Sequence, residues 1–361
     1  MPTSELDVPA LDRILDRFPR LKIGVVGDLF LDKYLELEHS LTEISIETGL
    51  EAYQVVRSRC YPGAGGTVLN NLRALGIGRL SAISVIGDDG EGYDLRRELQ
   101  VRDIDARGVL VRADRMTPTY TKPMLSQPDG PPRELNRLDI KNRTPQPAEI
   151  DQLVIAELRR AVPELDAQIV ADQVTERSRG VISDGVRAEL TRLAAAHPQL
   201  LIFVDSRSHL GLFRGCTAKP NRSELAQAVG RPGDESIASS LDAVEKASGE
   251  LCRQAGRPVY TTLGPDGILI HNGANATHVP GVCVSGPIDI VGAGDSTTAG
   301  IVSALCAGAT AAQAARIGCL VASITIQQIG VTGTATPAQV RLRLEEAGRI
   351  SGRLRTSTNE E

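Results

Sequence analysis

Short, continuous apolar runs recur along this chain and alternate with segments of helical spacing. The runs occupy residues 21–28, 80–87, 167–172, 200–206 and 258–264. Apolar runs of this length are typical of strands buried on both faces, as in parallel sheets. Between them, Ser183 is a candidate cap for a helix through His197, and apolar positions repeat at helical intervals over residues 241–251. The alternation predicts an α/β sheet with helices on both faces.

Two segments interrupt this alternation. Residues 33–60 and about 106–125 alternate polar and apolar positions and are rich in Thr, Val and Tyr. We expect them to form a small β lid over the sheet edge, which would keep water out of a site beneath it. Edge strands without a lid role are the alternative.

The composition of residues 127–133 predicts a surface turn. No convincing linker divides the chain, so we expect a single domain over residues 1–361.

The composition narrows the class of partner. Of the 361 residues, 41% are hydrophobic, and 40 basic against 45 acidic residues give a net charge of −5 without a long block of one sign. We therefore expect a small-molecule partner, and neither nucleic acid nor membrane. The N-terminal segment resembles neither a signal peptide nor a transit peptide, and the six cysteines form no Cys-x-x-Cys pair. These features predict a cytoplasmic protein without a zinc site or a disulfide framework.

The stretch DIVGAGDS at residues 289–296 is the strongest candidate for chemistry. Gly292 and Gly294 permit backbone conformations closed to other residues and lead into a helical run from Asp295 to Ala307. Unpaired amides at a helix N-terminus stabilise an anion, such as a phosphoryl group during transfer. The Asp295 carboxylate beside them can accept a hydroxyl proton as a general base. A glycine turn before an ordinary acidic first helical turn is the alternative.

Two other segments offer ligands for sugar hydroxyls. The segment PGAGGTVLNN (62–71) matches neither the dinucleotide fingerprint nor the phosphate-binding loop, but its glycines let a ligand approach the backbone, and Asn70 adds an amide. The segment GDLFLD places Asp28 and Asp32 at the carboxyl end of the first strand, where α/β sheets bind ligands. A tight structural turn and turn capping are the respective alternatives.

Two later segments suit a nucleotide and its metal ion. In KPNRSE, Asn221 and Glu224 are three residues apart, which suits a water-mediated support for Mg²⁺. The same spacing is typical of a helix capping pair. In TLGPDG, Thr262 and the amides of Gly264 and Gly267 are candidates for contacts with phosphate or ribose, and a plain hairpin turn is the alternative.

Taken in order, GDLFLD, PGAGGTVLNN, KPNRSE, TLGPDG and DIVGAGDS resemble the PfkB or ribokinase family of carbohydrate kinases, over about residues 22–345. The resemblance implies a three-layer α/β/α sandwich with a small β-sheet lid. It also implies transfer of the γ-phosphoryl group of ATP to a sugar alcohol, with Mg²⁺ required. Asp295 would be the general base, and the amides of Gly292, Ala293 and Gly294 would form an anion hole.

The same resemblance assigns further residues. Sugar ligands are implied at Asp32, Gly65, Gly66 and Asn70. Nucleotide and metal ligands are implied at Asn221, Glu224, Thr262 and Gly264. A monovalent cation such as K⁺ is implied near the carbonyls of Asp289 and Val291, and lid strands of this family pair subunits into a homodimer.

Within the family, GDLFLD, FVDSR and ELNRLDIKN (134–142) are most similar to heptose 7-phosphate kinases without an adenylyltransferase half, which implies substrate contacts from Arg137 or Asp139. Two segments depart from the family pattern: DQVTERSRGV (172–181) and IETGLEAYQVV in the lid. Both fall near the expected sugar, so the acceptor is predicted only as a sugar or a sugar phosphate. A nucleoside kinase of the same fold and a non-catalytic sugar-binding regulatory protein are the alternatives.

Overall fold

The computed structural model describes residues 6–127 and 130–357, with side chains up to residue 349. The strands in these ranges are β1 (Lys22–Gly27), β2 (Leu29–Ile44), β3 (Glu51–Ala64), β4 (Arg79–Gly87), β5 (Asp105–Arg112), β6 (Thr119–Leu125), β7 (Arg133–Glu134), β8 (Leu138–Ile140), β9 (Ala167–Asp172), β10 (Leu201–Ser206), β11 (Thr217–Ala218), β12 (Val259–Thr262), β13 (Ile268–His271) and β14 (Ala276–Val279). The helices are α1 (Val8–Leu15), α2 (Gly65–Ala74), α3 (Gly90–Val101), α4 (Ala148–Ala161), α5 (Asp184–Ala196), α6 (Arg222–Ala228), α7 (Glu235–Ser239), α8 (Leu241–Ala255), α9 (Ala293–Cys306), α10 (Ala311–Thr325) and α11 (Pro337–Ser357). The turn expected at residues 127–133 lies partly outside the described residues, at 128–129.

The larger sheet has nine strands within the described ranges, in the order β14-β13-β12-β11-β10-β9-β1-β4-β5. Strand β1 pairs in parallel with β4 and β9, whereas β13 and β14 are antiparallel additions at one edge. Each predicted apolar run forms a strand of this sheet, although the last run ends earlier than expected, at Thr262. The helix expected after Ser183 is α5, and the Ser183 hydroxyl accepts the Val186 N–H at 3.1 Å.

Helices cover both faces of this sheet. Because successive strand residues point to opposite faces, Val25 lies in one hydrophobic cluster and Val26 in the other. The first cluster draws side chains from α1, α2, α3, α9, α10 and α11. The second draws them from α4, α5, α6, α7 and α8. The predicted three-layer α/β/α sandwich is therefore confirmed.

A second sheet, of five strands in the part of the chain that is described, forms the expected β extension. Its order is β3-β2-β6-β7, and β8 also pairs with β6. Strand β2 follows β1 after the single residue Asp28, and β3 runs directly into α2 at Gly65. The extension thus begins at the carboxyl end of β1, and the expected lid segment 33–60 lies within it.

The other expected lid segment, 106–125, is only partly right. Residues 119–125 form β6 in the smaller sheet, but residues 105–112 form β5 at the edge of the larger sheet. The reason is that α3 connects β4 to β5 as a crossover helix, and such a crossover places β5 beside β4 as a parallel strand of the larger sheet. Val109 of β5 is buried in this position. The smaller sheet instead gains β7 and β8, which the sequence pattern did not predict.

The longest helix, α11, has 21 residues and includes five arginines. No helix in the described ranges combines the length and the apolar character that crossing a bilayer requires. The six cysteines are free thiols.

Candidate functional site

The first turn of α9 presents a carboxylate without a partner. Gly292 precedes this helix with φ of 78°, and the half-buried Asp295 makes no hydrogen bond or ion pair with any described residue. The amides of Gly292, Gly294 and Asp295 also lack an acceptor among the described residues. The Ala293 amide differs, because it donates to the Ile290 carbonyl at 3.1 Å. Of the three amides in the predicted anion hole, the amide of Ala293 is therefore already engaged.

The surroundings of Asp295 favour its protonated form. Burial raises the pKa of Asp295 from 3.8 to about 7, and the negative charge of Asp205 contributes in the same direction. The positive charges of Lys219 and Arg207 lower this pKa, and Asp32 adds a smaller increase. A carboxyl group with a pKa near neutrality is suited to accept a proton at physiological pH.

A buried ion pair adjoins this carboxylate. Lys219 Nζ lies 3.0 Å from Asp205 Oδ2, and both side chains are less than a tenth exposed. Thr298 of α9 donates its hydroxyl to the same Asp205 oxygen at 3.0 Å. An ideal Cβ on Gly294 would lie only 3.6 Å from Lys219 Nζ, so the ammonium group reaches the first turn of α9. The pair therefore connects the sheet to the helix that holds Asp295.

The sequence analysis missed both members of this ion pair. The parallel register pairs Val204 of β10 with Ala218 of β11, so Asp205 and Lys219 are the next residues in register. The available signal was Asp205 directly after the apolar run LLIFV, whereas Lys219 follows only the short segment CTA, which gives no comparable signal.

The two predicted carboxylates after β1 have different surroundings. Asp28 is buried, and its Oδ2 accepts the backbone N–H groups of Gln173 at 2.8 Å and Val174 at 3.0 Å. Its Oδ1 accepts the N–H of Val181 at 2.8 Å. Burial raises the pKa of Asp28 to about 6. Both oxygens anchor the loop after β9, and the contact of Asp28 with sugar stays a prediction.

Asp32 and Asn70 retain capacity for a ligand. Asp32 lies 3.4 Å from Lys122 Nζ on the neighbouring strand β6, and its charge acts on Asp295. Asn70 donates to the Pro62 carbonyl at 3.4 Å, but its buried Oδ1 has no partner in the part of the chain described. A buried amide oxygen without a donor is costly unless a ligand hydroxyl supplies one. Sugar binding at Asp32 and Asn70 stays a prediction that this geometry suits.

Gly65 and Gly66 at the start of α2 are tightly packed. An ideal Cβ on Gly66 would lie 2.4 Å from the Pro62 side chain, and one on Gly65 would lie 3.1 Å from the Asp28 carbonyl oxygen. The Gly65 amide donates to that same carbonyl at 2.9 Å. Packing alone thus requires both glycines, as the structural alternative stated, and their contact with sugar stays a prediction.

Asn221 and Glu224 form a reciprocal capping box at the start of α6. Asn221 Oδ1 accepts the Glu224 amide at 2.9 Å, and Glu224 Oε2 accepts the Asn221 amide at 2.8 Å. The capping alternative is therefore confirmed. Glu224 Oε1 makes no hydrogen bond within the described ranges and could still contact a hydrated metal ion. Burial raises the pKa of Glu224, while the positive charge of Lys219 lowers it.

The segment TLGPDG joins the antiparallel strands β12 and β13, as the hairpin alternative stated. Gly264 and Gly267 have φ of 64° and 96°. The Gly267 amide donates to the Gly264 carbonyl at 3.2 Å, whereas the Gly264 amide has no acceptor among the described residues. The Thr262 hydroxyl donates to the Pro220 carbonyl at 3.4 Å. Of the two predicted phosphate donors, only the amide of Gly264 is free within the described ranges.

The backbone before α9 leaves two carbonyl groups free. The Asp289 amide donates to the Ile326 carbonyl at 2.7 Å, and the Val291 amide donates to Asp289 Oδ1 at 3.0 Å. The carbonyl oxygens of Asp289 and Val291 accept no hydrogen bond from described residues. Such oxygens suit a hard cation. Within the described ranges, no group of three or more His, Cys, Asp or Glu side chains is arranged to hold a metal ion.

Asp139 lies between two cations of the lid. Asp139 Oδ1 lies 2.7 Å from Arg137 Nε, and Asp139 Oδ2 lies 3.6 Å from Lys141 Nζ. The Arg137 guanidinium covers the Tyr120 ring at 4.3 Å from its centre. Hydrogen bonds from Arg137 lower the pKa of Asp139. The Asp139 carboxylate therefore holds two cations in the lid, and its contact with substrate stays a prediction.

A cavity of about 90 Å³ lies between the lid, the end of β1 and the loop after β9. Phe30 and Tyr120 line it on the lid side. The basic residues that line it are Arg115, Lys141, Arg179 and Arg207. Asp295 does not line this cavity, but Arg207 does, and its positive charge lowers the pKa of Asp295. The sequence analysis placed the loop 172–181 near the sugar but did not anticipate this set of cations.

Known proteins share sequence with this chain. Residues 214–339 match the model of the pfkB family carbohydrate kinases. Curated relatives include the bifunctional protein HldE of Trichlorobacter lovleyi, 28% identical over 347 residues, and that of Pelobacter propionicus, 28% identical over 341 residues. Each alignment covers 93% of this chain, and the chain spans 65% of the length of these relatives.

Solved structures share the fold. Ribokinase of Arabidopsis thaliana, complexed with ribose and ATP, aligns with a TM-score of 0.65 at 16% identity and covers 90% of this chain and 98% of its own. Phosphofructokinase-2 of Escherichia coli, in complex with potassium, aligns with a TM-score of 0.67 at 20% identity and covers 91% of this chain and 99% of its own. Residues 214–339 therefore match the pfkB family carbohydrate kinases that the motifs predicted, and the described residues have a ribokinase-like fold.

Proposed function

We propose that this protein is an ATP-dependent kinase that phosphorylates a hydroxyl group of a sugar or sugar phosphate of the heptose 7-phosphate class, with Asp295 as general base. The observation that supports this proposal is the half-buried Asp295 carboxylate, which has no partner among the described residues and a pKa raised by burial to about 7. Unengaged amides of Gly292 and Gly294 lie beside it. A proton acceptor next to anion donors is the combination that phosphoryl transfer needs.

In the proposed reaction, the acceptor hydroxyl lies against the Asp295 carboxylate, and the γ-phosphoryl group lies against the amides of Gly292 and Gly294. Asp295 accepts the hydroxyl proton as the acceptor oxygen bonds to the γ-phosphorus of ATP, and the bond to the bridging oxygen breaks to release ADP. The amides of Gly292 and Gly294 stabilise the charge on the transferred group. Most of the rate gain then comes from positioning and from electrostatic stabilisation.

The proposed nucleotide and metal side comprises Asn221, Glu224, Thr262, Gly264 and Gly267. The unpartnered Oε1 of Glu224 fits a contact with Mg²⁺ through water, and the free amide of Gly264 fits a phosphate oxygen. When bound, Mg²⁺ would neutralise phosphate charge. The free carbonyls of Asp289 and Val291 fit a monovalent cation, and E. coli phosphofructokinase-2 was solved in complex with potassium.

The aromatic residues near the lid favour a sugar over a nucleoside. Lys122 Nζ lies 4.7 Å from the centre of the Tyr34 ring, and Arg137 covers Tyr120 at 4.3 Å. Phe30 meets the Tyr120 ring edge to face at 5.3 Å. A nucleoside base stacks best on an open aromatic face, and a cation already lies over one face of Tyr34 and one face of Tyr120. A non-catalytic binding protein, the other alternative, gives no reason for an unpartnered carboxylate beside the unengaged amides of Gly292 and Gly294.

We also propose that the lid pairs two copies of the chain into a homodimer. The β2–β3 hairpin carries apolar side chains that are more than half exposed, namely Ile44, Ile46, Leu50, Val55 and Val56. Strand β3 is an edge of the smaller sheet. An unpaired edge with exposed apolar side chains favours pairing with a second strand. Light scattering should give twice the chain mass of 38.5 kDa, and a mass of one chain would contradict pairing.

The test of function is phosphoryl transfer from ATP with Mg²⁺ across a panel of sugars, sugar phosphates and nucleosides. We expect ADP release to accompany phosphorylation of a sugar or sugar phosphate, and the Asp295→Asn variant to give the background rate. Transfer to nucleosides alone would favour the rival kinase class. Absence of transfer to every acceptor, with ATP still bound, would favour a non-catalytic protein.

A further inference from the structure

We infer that Thr298 is a positioning residue of the proposed site, whose hydroxyl group fixes the first turn of α9, and with it Asp295, against the larger sheet. The inference rests on the proposed function, because it concerns the placement of the proposed base. Thr298 acts through Asp205 and contacts neither substrate. It lies two residues beyond the motif DIVGAGDS.

Asp295 and Thr298 lie on the same side of α9, because residues three apart are neighbours on a helix surface. The Thr298 side chain is buried, whereas the Asp295 carboxylate is half-buried and has no partner among the described residues. Thr298 donates its hydroxyl to Asp205 Oδ2 at 3.0 Å. The helix side that carries the proposed base is therefore bonded to the end of β10.

This hydrogen bond is the directional contact between α9 and the larger sheet. Within the described ranges, Thr298 makes the only side-chain hydrogen bond from α9 to a strand of this sheet. Ala299, Ile301 and Val302 of α9 belong to the first hydrophobic cluster. Apolar contacts are not directional, so they hold the helix close to the sheet without fixing its rotation.

The contact of α9 with α10 supplies another fixed point, on a different side of the helix. An ideal Cβ on Gly300 would lie 3.0 Å from the Cα of Gly318, so the two helices approach closely at these glycines. The Ser296 and Thr325 hydroxyls lie 2.9 Å apart across the same pair of helices. Together with the bond from Thr298 to the sheet, this contact defines the rotation of the first turn of α9.

The acceptor of the Thr298 hydroxyl is itself held in place. Asp205 Oδ2 lies 3.0 Å from Lys219 Nζ, and both of these side chains are less than a tenth exposed. A hydrogen bond to an ionised carboxylate is stronger than one between two neutral groups. Lys219 also reaches the first turn of α9, since an ideal Cβ on Gly294 would lie 3.6 Å from its Nζ. The ion pair is thus a fixed point that Thr298 bonds to the helix.

Loss of the Thr298 hydroxyl should displace Asp295 without removing it. A misplacement of about 1 Å at a reacting group can lower the rate by about a hundredfold, and a smaller shift costs less. With ATP and the acceptor that the panel identifies, we expect kcat to fall about tenfold in Thr298→Val, with KM for ATP at the parental value.

The variant Thr298→Ser separates the hydrogen bond from packing. It keeps the hydroxyl and lacks only the methyl group, so it should retain most of kcat, whereas Thr298→Val keeps the shape and loses the bond. A role in packing alone predicts the opposite order, because only the serine variant leaves a cavity.

Thr297→Val is the matched control. Thr297 is also buried in α9, but its hydroxyl donates to the Ala293 carbonyl of the same helix at 2.7 Å. A bond of this kind to the carbonyl four residues earlier does not strengthen a helix, so this variant should keep the parental kcat. Hydrogen–deuterium exchange of residues 293–300, measured by mass spectrometry without substrate, is a second readout. Exchange should be faster in Thr298→Val and unchanged in Thr298→Ser and Thr297→Val.

Parental kcat or parental exchange in Thr298→Val would overturn the inference, as would a larger loss of kcat in Thr298→Ser than in Thr298→Val. Failure of the proposed function gives a different result. Parental kcat in Thr298→Val with an inactive Asp295→Asn would refute the positioning role and leave the base. Absence of transfer to any acceptor, with faster exchange in Thr298→Val alone, would refute the kinase function and support the contact that fixes α9.

Discussion

The ammonium nitrogen of Lys219 lies 3.0 Å from a carboxylate oxygen of Asp205, next to the first turn of α9. Thr298 donates to the same carboxylate, so the ion pair fixes the ends of two strands against the helix that holds Asp295. The two charges act on Asp295 in opposite directions, since Asp205 raises its pKa and Lys219 lowers it. Burial therefore remains the largest cause of the raised pKa.

Replacement of Lys219 by methionine should destabilise the fold, because it leaves the Asp205 carboxylate buried without its cation. We expect the free energy of unfolding to fall by about 3 kcal/mol, measured by urea denaturation. The double variant Lys219→Met with Asp205→Asn should recover part of the loss, because no charge is then left unpaired. A double variant less stable than Lys219→Met would contradict this interpretation of the pair.

The pH dependence of turnover should show an acid limb near pH 7. Protonated Asp295 cannot accept the hydroxyl proton, so kcat should fall about tenfold for each pH unit well below its pKa of about 7. The Lys219→Met variant should shift this limb to higher pH, because it removes a positive charge that lowers the pKa. A limb that stays in place in this variant would contradict the coupling between Lys219 and Asp295.

The raised pKa of Asp295 also predicts a cost in stability. A carboxyl group whose pKa is about 7 in the folded protein, against an ordinary value of 3.8, supports the fold fully below about pH 4, and this contribution is lost as the pH rises through 7. Asp295→Asn should therefore raise the free energy of unfolding by about 1 kcal/mol or more at pH 8, and little at pH 4. Asp242→Asn is the control, an exposed acid in the first turn of α8 that should give no such gain.

Gly292 should be needed for activity as well as for backbone geometry. It has φ of 78°, and an ideal Cβ would lie 2.8 Å from the Thr332 methyl carbon. Gly256, which ends α8 with φ of 71° and nothing within 4 Å of an ideal Cβ, is the matched control. Both alanine variants should lose about 1–2 kcal/mol of stability. Only Gly292→Ala should lose about tenfold or more in kcat, because the added methyl group shifts the backbone amides that are proposed to stabilise the transferred phosphoryl group. Equal losses of kcat would contradict a role for these amides.

The sequence pattern predicted the larger sheet because its strands are buried on both faces and therefore appear in the sequence as unbroken apolar runs. The same pattern failed for β5, since alternating polarity indicates a half-exposed strand but not the sheet to which the strand belongs. Strands β7 and β8 have two and three residues, which is too short for any period to appear.

The chemistry of the site was predictable only where one segment contains it. The segment DIVGAGDS contains the helix start, the glycines and Asp295, so its local geometry can be predicted from this one segment. The role of Asp28 depends on backbone N–H groups about 150 positions away, and the Asp205–Lys219 pair depends on strand register. Such contacts have no signature in a single segment.

Turnover of the Asp295→Asn variant tests the proposed general base most directly. With the acceptor identified from the panel, we expect kcat to fall by roughly a hundredfold or more, because a neutral amide cannot take the hydroxyl proton. ATP should still bind with parental affinity, since Asp295 is not among the proposed nucleotide ligands. Turnover equal to that of the parent protein would contradict the assignment of Asp295 as the base.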